Sequence, residues 1–387
     1  MLKFTFVARG CSKHLNQQRR GFKVAIGSGG RNSVSGLTAT VFGCTGFLGR
    51  YVVNKLGRVG TQVIVPYRKG EDESIRHLKV MGDIGQIVPM PFNGRDMESI
   101  KQAVQRSDVV INCLGKQELT GKFDFFGSNV EAVTNIAKMS KEAGVPKFIH
   151  VSALAADEYS PSEWLRRKAQ GELAVREEYP DAVILRTSIM FGDEDLFLNS
   201  MAKWAKFFGV VPLVGRGDNL IQPVYVDNVA EAVRCAVLED EGELAGKLVE
   251  LAGPRTMSVR EVGQLVAELV ATEDDSFSVR SVLPDATAYL PESSADLSPH
   301  KWAAKALDGL YRSYPISLPG LPQLPLVRGD SDAVFAVPWV AKPGKHLQLA
   351  DMGIAATDIK TIAPEMLHRY RRGGHFLGVK GERYIPL

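Results

Sequence analysis

The stretch VFGCTGFLGR at 41–50 constrains the fold more than any other part of the chain. It spaces Gly43, Gly46 and Gly49 three residues apart, after an apolar run (37–42) and before a run with helical periodicity (47–60). Glycines at a strand-to-helix turn let backbone N–H groups approach an anion, and the helix N-terminus favours its negative charge. Alone the pattern is weak. In this setting it predicts a pyrophosphate cradle lined by Gly43, Thr45, Gly46, Phe47, Leu48 and Gly49, the alternative being a tight turn with no ligand.

The flanking pattern repeats. Apolar runs at 61–67, 85–91, 108–114, 147–153 and 182–188 read as strands. Amphipathic runs at 96–106, 130–144 and 162–179 read as helices, the first with an acidic opening turn. Alternating strands and helices predict an α/β fold: a doubly wound, mostly parallel sheet of the Rossmann type, covered on both faces. After residue 190 the pattern loosens. A strand running into a helix is expected at 222–239, a strand at 246–253 and a helix at 258–270. Residues 283–343, rich in proline, read as loops over the sheet or against a partner. No repeat or low-complexity tract interrupts this order. The division expected is a leader at 1–31, a dinucleotide-binding domain at 32–190 and a smaller loop-rich C-terminal lobe at 191–387, with 222–253 returning a helix and strand to the core.

The end of the second strand bears on which nucleotide is bound. NAD sites usually carry an acid there for the ribose 2′-hydroxyl. This chain has Pro66-Tyr67-Arg68-Lys69. Arg68 is suited to a bidentate pair with a 2′-phosphate, so NADPH (or NADP+) is expected ahead of NADH. Asn93, after the third strand, is expected at the adenine edge. Leu114 and Gly115, ending the fourth, are expected beside the pyrophosphate and ribose.

Charge is distributed unevenly. The first acidic residue is Glu71, whereas residues 1–31 carry seven Lys or Arg mixed with Leu2, Phe4, Phe6 and Val7. That composition is that of an organellar import segment, without the apolar stretch of a secretory signal, and Arg19-Arg20-Gly21-Phe22 suits mitochondrial processing. A basic surface tail is the plainer alternative. Without the leader the count is 40 basic against 44 acidic, so basicity gives no argument for a nucleic-acid partner. No run approaches the roughly 18 apolar residues of a membrane span. Cys11, Cys44, Cys113 and Cys235 are widely spaced, with no zinc pattern, and read as free thiols.

These residues resemble the extended short-chain dehydrogenase/reductase family. The likeness covers roughly 36–255 and rests on the glycine motif, INCLG, HVSAL, Lys168, RTSIMFG and QPVYVDNVA. It implies a serine at the end of the fifth strand, matched by Ser152, and a Tyr-x-x-x-Lys pair, of which Lys168 is present and Trp164 stands at the tyrosine. The tyrosine, with an ordinary pKa near 10, passes a proton as hydride moves. An indole N–H has no accessible titration, and losing such help costs about 10²–10⁴-fold. Lys168 retains the task of holding the nicotinamide ribose. Tyr159 is the sole nearby replacement. The positions Ser152, Trp164 and Lys168 are therefore read as a degenerate catalytic set, able to hold a cofactor and poorly equipped to turn it over.

A narrower likeness runs from about 33 to 230, through GRYVVNKLGRVGTQVIVPYR, HLKVMGDIGQIV, SKEAGVPKFIHVSAL, WLRRKAQGE and DLFLNSMAKWAKFFGVVPL. It is to the nucleotide-binding accessory subunits of mitochondrial respiratory complex I, an atypical branch of the same superfamily. The resemblance implies a tightly held NADPH, no turnover, a place on the matrix side of the inner membrane, and neighbours among complex I subunits of the matrix arm and membrane junction. The chain departs from that family at Trp164, where members can retain tyrosine. Two stretches offer lipid or partner contact, WAKFFGVVPL (204–213) and HRYRRGGHF (368–376); core packing and a solvated surface are the plainer readings. An active NADPH-dependent reductase of the mitochondrion and a free NADPH-sensing protein are the alternatives.

Overall fold

The computed structural model describes residues 34–68, 70, 72–115, 124–214, 216–239, 242–271, 277–283, 337–342 and 344–371, with the backbone of 17–19 and 22–24. β1 (Gln17–Arg19) pairs antiparallel with β2 (Phe22–Val24). The rest of the leader lies outside the described residues, as do most of 283–343 and residues 372–376 of the basic stretch.

β3 (Thr38–Phe42) leads into α1 (Phe47–Arg58), β4 (Gln62–Arg68), β5 (Ile87–Phe92) and α2 (Met97–Val104). β6 (Val109–Asn112), α3 (Ala132–Glu142), β7 (Lys147–Ala153), α4 (Glu163–Glu178) and β8 (Val183–Thr187) follow. Then come β9 (Met190–Phe191), α5 (Phe197–Phe208), β10 (Val210–Val214), β11 (Leu220–Ile221), β12 (Val224–Tyr225) and α6 (Val226–Leu238). β13 (Leu248–Leu251), β14 (Met257–Ser258), α7 (Val259–Val270), β15 (Ser278–Leu283), β16 (Leu347–Gln348) and α8 (Ile359–Leu367) end the series.

Eight strands form one parallel sheet in the order β16-β13-β8-β7-β6-β3-β4-β5. The chain works outward from β3 in one direction, then returns to β6 and works outward in the other. The order reverses between β3 and β6, and in sheets of this topology ligands bind in the crevice beyond the strands' C-terminal ends at that point.

The continuous apolar strands follow from two buried faces. Val41, Ile111 and Ile149 pack under α1 and α6, among Leu48, Val52, Leu56, Val229 and Val233. Their neighbours Phe42, Val110 and Phe148 point the other way, against Ile100, Val133, Ile136 and Val175. Successive side chains on a strand alternate faces, so these adjacent pairs on β3, β6 and β7 each supply both cores. The α1–α6 contact is tied by Lys55, whose Nζ lies 2.8 Å from Asp227 Oδ2.

Two elements depart from the pattern. The run 130–144 opens as a π-turn over Gly127–Glu131 before becoming α3. The stretch 204–213 is divided: α5 stops at Gly209, which has φ +68°, and β10 then pairs parallel with β15 in a separate small sheet. A third core forms here, between α5, α7 and α8. No helix among the described residues is long and apolar enough to cross a membrane.

Candidate functional site

Gly43, with φ +78°, turns the chain away from β3. A Cβ there would lie 2.8 Å from the backbone carbonyl carbon and oxygen of Cys113. The Gly46 N–H donates to Gly43 O at 3.0 Å, closing the turn. At Gly49 a Cβ would collide with Gly43 O and stand 2.7 Å from Cys44 Cα, so glycine is what lets α1 sit on the loop. α1 has no acidic residue in its first turn and no side-chain cap at Gly46. Its first N–H groups are left for an external acceptor. Thr45 and Phe47 are half-buried at this rim and Leu48 is buried beneath it. Cys44 points into the core and donates its S–H to Pro66 O at 3.3 Å. Burial pushes its thiol up to about 12, so it stays protonated.

The neighbouring strand ends bring the other expected residues to the same edge. Arg68 ends β4 opposite Phe92 of β5, with an exposed side chain. Asn93 follows directly, its Oδ1 accepting from the Arg95 N–H at 3.2 Å. Leu114 and Gly115 leave β6 beside the glycine loop, the Leu114 N–H donating to Asn112 Oδ1 at 3.0 Å.

Lys168 reaches this edge from α4. It is 6% exposed, and its Nζ donates to Leu114 O at 3.4 Å, long for a hydrogen bond. Burial pulls its ammonium down to about 8, against the opposing field of Glu172. Glu172 itself is clamped by Arg186, with Nε to Oε1 at 2.9 Å and Nη2 to Oε2 at 2.7 Å, so its charge is already engaged. On β7, His150 and Ser152 share a face. Both are buried, at 1% and 3% exposed. Burial, and secondarily the nearby Lys168, hold His150 down to about 3, hence neutral. Its Nδ1 lies 3.2 Å from Asn112 Nδ2. His150 Nε2 and Ser152 Oγ have no hydrogen-bond partner. Buried polar atoms without partners are uncommon and point to a ligand that would supply them.

Trp164 lies one turn before Lys168 on α4, 5% exposed, with its Nε1 also unpartnered. Its ring stacks on Trp339, centroids 6.2 Å apart and planes 22° apart. Tyr159 is 91% exposed on the preceding loop, whereas Trp164 and Lys168 are buried. Trp339 went unforeseen. It sits in the proline-rich stretch, and nothing local marks it as a partner of a residue 175 positions earlier. His150 and Asn112 had a usable signal: each is a polar residue inside an otherwise apolar strand.

The residues present fit a dinucleotide. The glycine turn leaves room and N–H groups for a pyrophosphate. The β6–β7–α4 corner offers a lysine and unpartnered polar atoms for the second ribose and its base. No group of His, Cys, Asp or Glu suited to a metal ion occurs among the described residues. A cavity of about 270 Å³ lies at the opposite end of the strands, lined by Leu37, Asp108, Lys147 and Asp181. Lys147 is spent there on the last carbonyls of α6, including Ala236 O at 3.0 Å, so that cavity is no part of the site.

The model of the NAD dependent epimerase/dehydratase family matches residues 39–252. A relative from Arabidopsis thaliana, "NADH dehydrogenase (ubiquinone) 1 alpha subcomplex subunit 9, mitochondrial", is 38% identical over 93% of this chain and 84% of its own length. The Rattus norvegicus protein of the same name is 50% identical over 59% of this chain and 60% of its own length. Among solved structures, the dTDP-glucose 4,6-dehydratase DesIV of Streptomyces venezuelae with NAD and TYD bound aligns with TM-score 0.53 and 20% identity. That alignment covers 64% of this chain and 85% of that one, a likeness of fold.

Proposed function

We propose a function from one premise: the chain belongs to the NAD dependent epimerase/dehydratase family and, within it, to the alpha subcomplex subunit 9 proteins of NADH dehydrogenase (ubiquinone). On that premise it is a nucleotide-holding accessory subunit of mitochondrial complex I. It keeps NADPH as a structural element and supports the matrix arm near the membrane junction. The observation that carries this reading is the pairing of an intact cradle with an indole where the proton donor belongs. A buried Trp164 under Trp339 offers nothing to protonate an alkoxide, while Lys168 and the glycine turn are still built to hold a nucleotide. Bound nucleotide stabilises the native state by mass action, since the unfolded chain has no site for it.

In this reading Gly43, Thr45, Gly46, Phe47, Leu48 and Gly49 hold the pyrophosphate. Arg68 takes the 2′-phosphate, Asn93 the adenine edge, and Leu114, Gly115 and Lys168 the nicotinamide ribose. Residues 1–31 are an import segment removed on the matrix side, 32–190 the nucleotide domain and 191–387 the lobe that meets other subunits. The exposed Phe207 and Phe208 at the end of α5, beside Lys203 and Lys206, are where we place contact with the membrane edge.

Native-gel separation of mitochondrial membranes, followed by denaturation and nucleotide analysis of the band holding this chain, tests the whole reading. Near-stoichiometric NADP(H) in a large NADH-oxidising band is expected; the chain migrating alone without nucleotide refutes it. The cofactor choice has its own test. Arg68→Ala is expected to weaken NADPH binding about tenfold, from the loss of a charge-assisted contact, and to leave NADH nearly unchanged. Equal losses for both nucleotides, by titration of the purified chain, would place Arg68 away from the 2′-phosphate.

A further inference from the structure

We propose that Trp339 is this chain's own occupant of the space over the reactive end of the nucleotide site, where it excludes a carbonyl substrate and closes the nucleotide's way out. The inference rests on the nucleotide-holding reading above and adds to it a residue that retains the cofactor.

The first argument is position. In hydride chemistry the proton donor must lie within hydrogen-bond reach of the reacting oxygen. A substrate would therefore sit against the side chain at 164. One face of Trp164 is covered by the Trp339 ring, 6.2 Å away between centroids and nearly parallel. Lys168, one turn further along α4, donates to Leu114 O at 3.4 Å and so ties the same helix to the end of β6, beside the glycine loop.

The second argument is that the strap carrying Trp339 is anchored by side chains placed for it. Asn219 Nδ2 donates to Val337 O at 2.6 Å. Gln222 Oε1 accepts from the Ala341 N–H at 2.7 Å. Glu250, buried on β13 within the main sheet, accepts from the Lys342 N–H at 2.8 Å through Oε2. Backbone bonds hold the centre, with Trp339 N–H to Leu220 O at 2.8 Å and Gln222 N–H to Trp339 O at 3.0 Å. Ser188, at the end of β8, adds a bond from Oγ to Trp339 O at 3.4 Å. A segment held at both ends and its middle is part of the site's wall.

The third argument is the sealing of polar atoms. Trp164 Nε1 and Ser152 Oγ are enclosed and have no partner. In an open cleft, water would satisfy them. Buried as they are, they are read as atoms that a bound nucleotide satisfies.

The test uses the full chain loaded with NADPH. Release is followed by the loss of NADPH fluorescence on chasing with excess NADP+, and exposure of the nicotinamide by acrylamide quenching. Trp339→Ala is expected to speed release about tenfold, the scale of a lost aromatic stack, and to increase quenching. Trp339→Phe keeps a ring on Trp164 and is expected to stay near the parent. A folded Trp339→Ala chain that releases and quenches like the parent overturns the lock. Should that variant fail to fold, Asn219→Ala with Gln222→Ala loosens the strap without touching either ring and is read the same way. The two proposals fail separately. A parent chain that takes up no NADPH sinks the nucleotide reading and the lock with it. A parent that binds, beside a variant no faster to release, sinks the lock alone.

Discussion

Gly49→Ala is expected to destabilise the chain by about 3 kcal/mol and to abolish nucleotide retention, the upper end of the cost of overpacking. The atoms a methyl would meet are backbone: the carbonyl oxygen of Gly43 and the Cα of Cys44 at 2.7 Å. No side chain there can rotate out of the way. Either α1 lifts from β3 or the Gly43 turn opens. Lifting α1 withdraws Leu48, Val52, Val53 and Leu56 from the core they share with α6. Opening the turn moves the N–H groups of the cradle. Gly46→Ala is the control, because its added methyl meets only Gly43 O, at 3.2 Å. It is expected to cost about 1 kcal/mol or less in stability. Urea unfolding of both variants, with nucleotide content measured on the purified chains, separates them. A Gly49→Ala chain that unfolds at the parent's midpoint would show that α1 does not seat on the loop in solution.

The contrast between these two glycines also marks what the sequence makes legible. Their spacing, with a strand before and a helix after, is local information, and the doubly wound sheet follows from repeating it. The alternation of Val41 with Phe42, and of Ile149 with Phe148, was visible as unbroken apolar runs, because both faces are buried. What was hidden depends on distant contacts. Nothing in WAKFFGVVPL tells where helix gives way to strand except Gly209, and its left-handed turn has meaning only once β15 is present to pair with β10. Trp164 was legible as a substitution through its spacing from Lys168. Its partner was not, because Trp339 arrives by way of Leu220 and Gln222, contacts no periodicity encodes.

Lys168→Met is expected to raise the stability of the nucleotide-free chain and to lower the stabilisation that NADPH adds to it. Burial lowers the Lys168 ammonium from its ordinary 10.5 to about 8. Between those two values the unfolded chain keeps the proton and the folded chain has released it, so the unfolded state binds more protons and stability rises with pH through that window. Below pH 8 the folded chain bears the whole cost of the buried charge, about 3 kcal/mol. His150 is neutral and Glu172 is already clamped by Arg186, so neither relieves it fully. Methionine has nearly the same shape without the charge. The nucleotide-free variant is expected to gain about 1–3 kcal/mol at pH 7, and to lose the rise in stability between pH 8 and 10.5. NADPH binding is expected to weaken by about 2 kcal/mol, some thirtyfold, because a charge-assisted contact to the ribose is gone. Thermal melts at pH 7 and 9.5, with and without NADPH, read all four quantities. A variant less stable than the parent without nucleotide would make Lys168 a packing lysine. One more stable alone and less stabilised by NADPH identifies a charge buried in advance of its ligand, at a stability cost the empty protein bears and the bound nucleotide offsets.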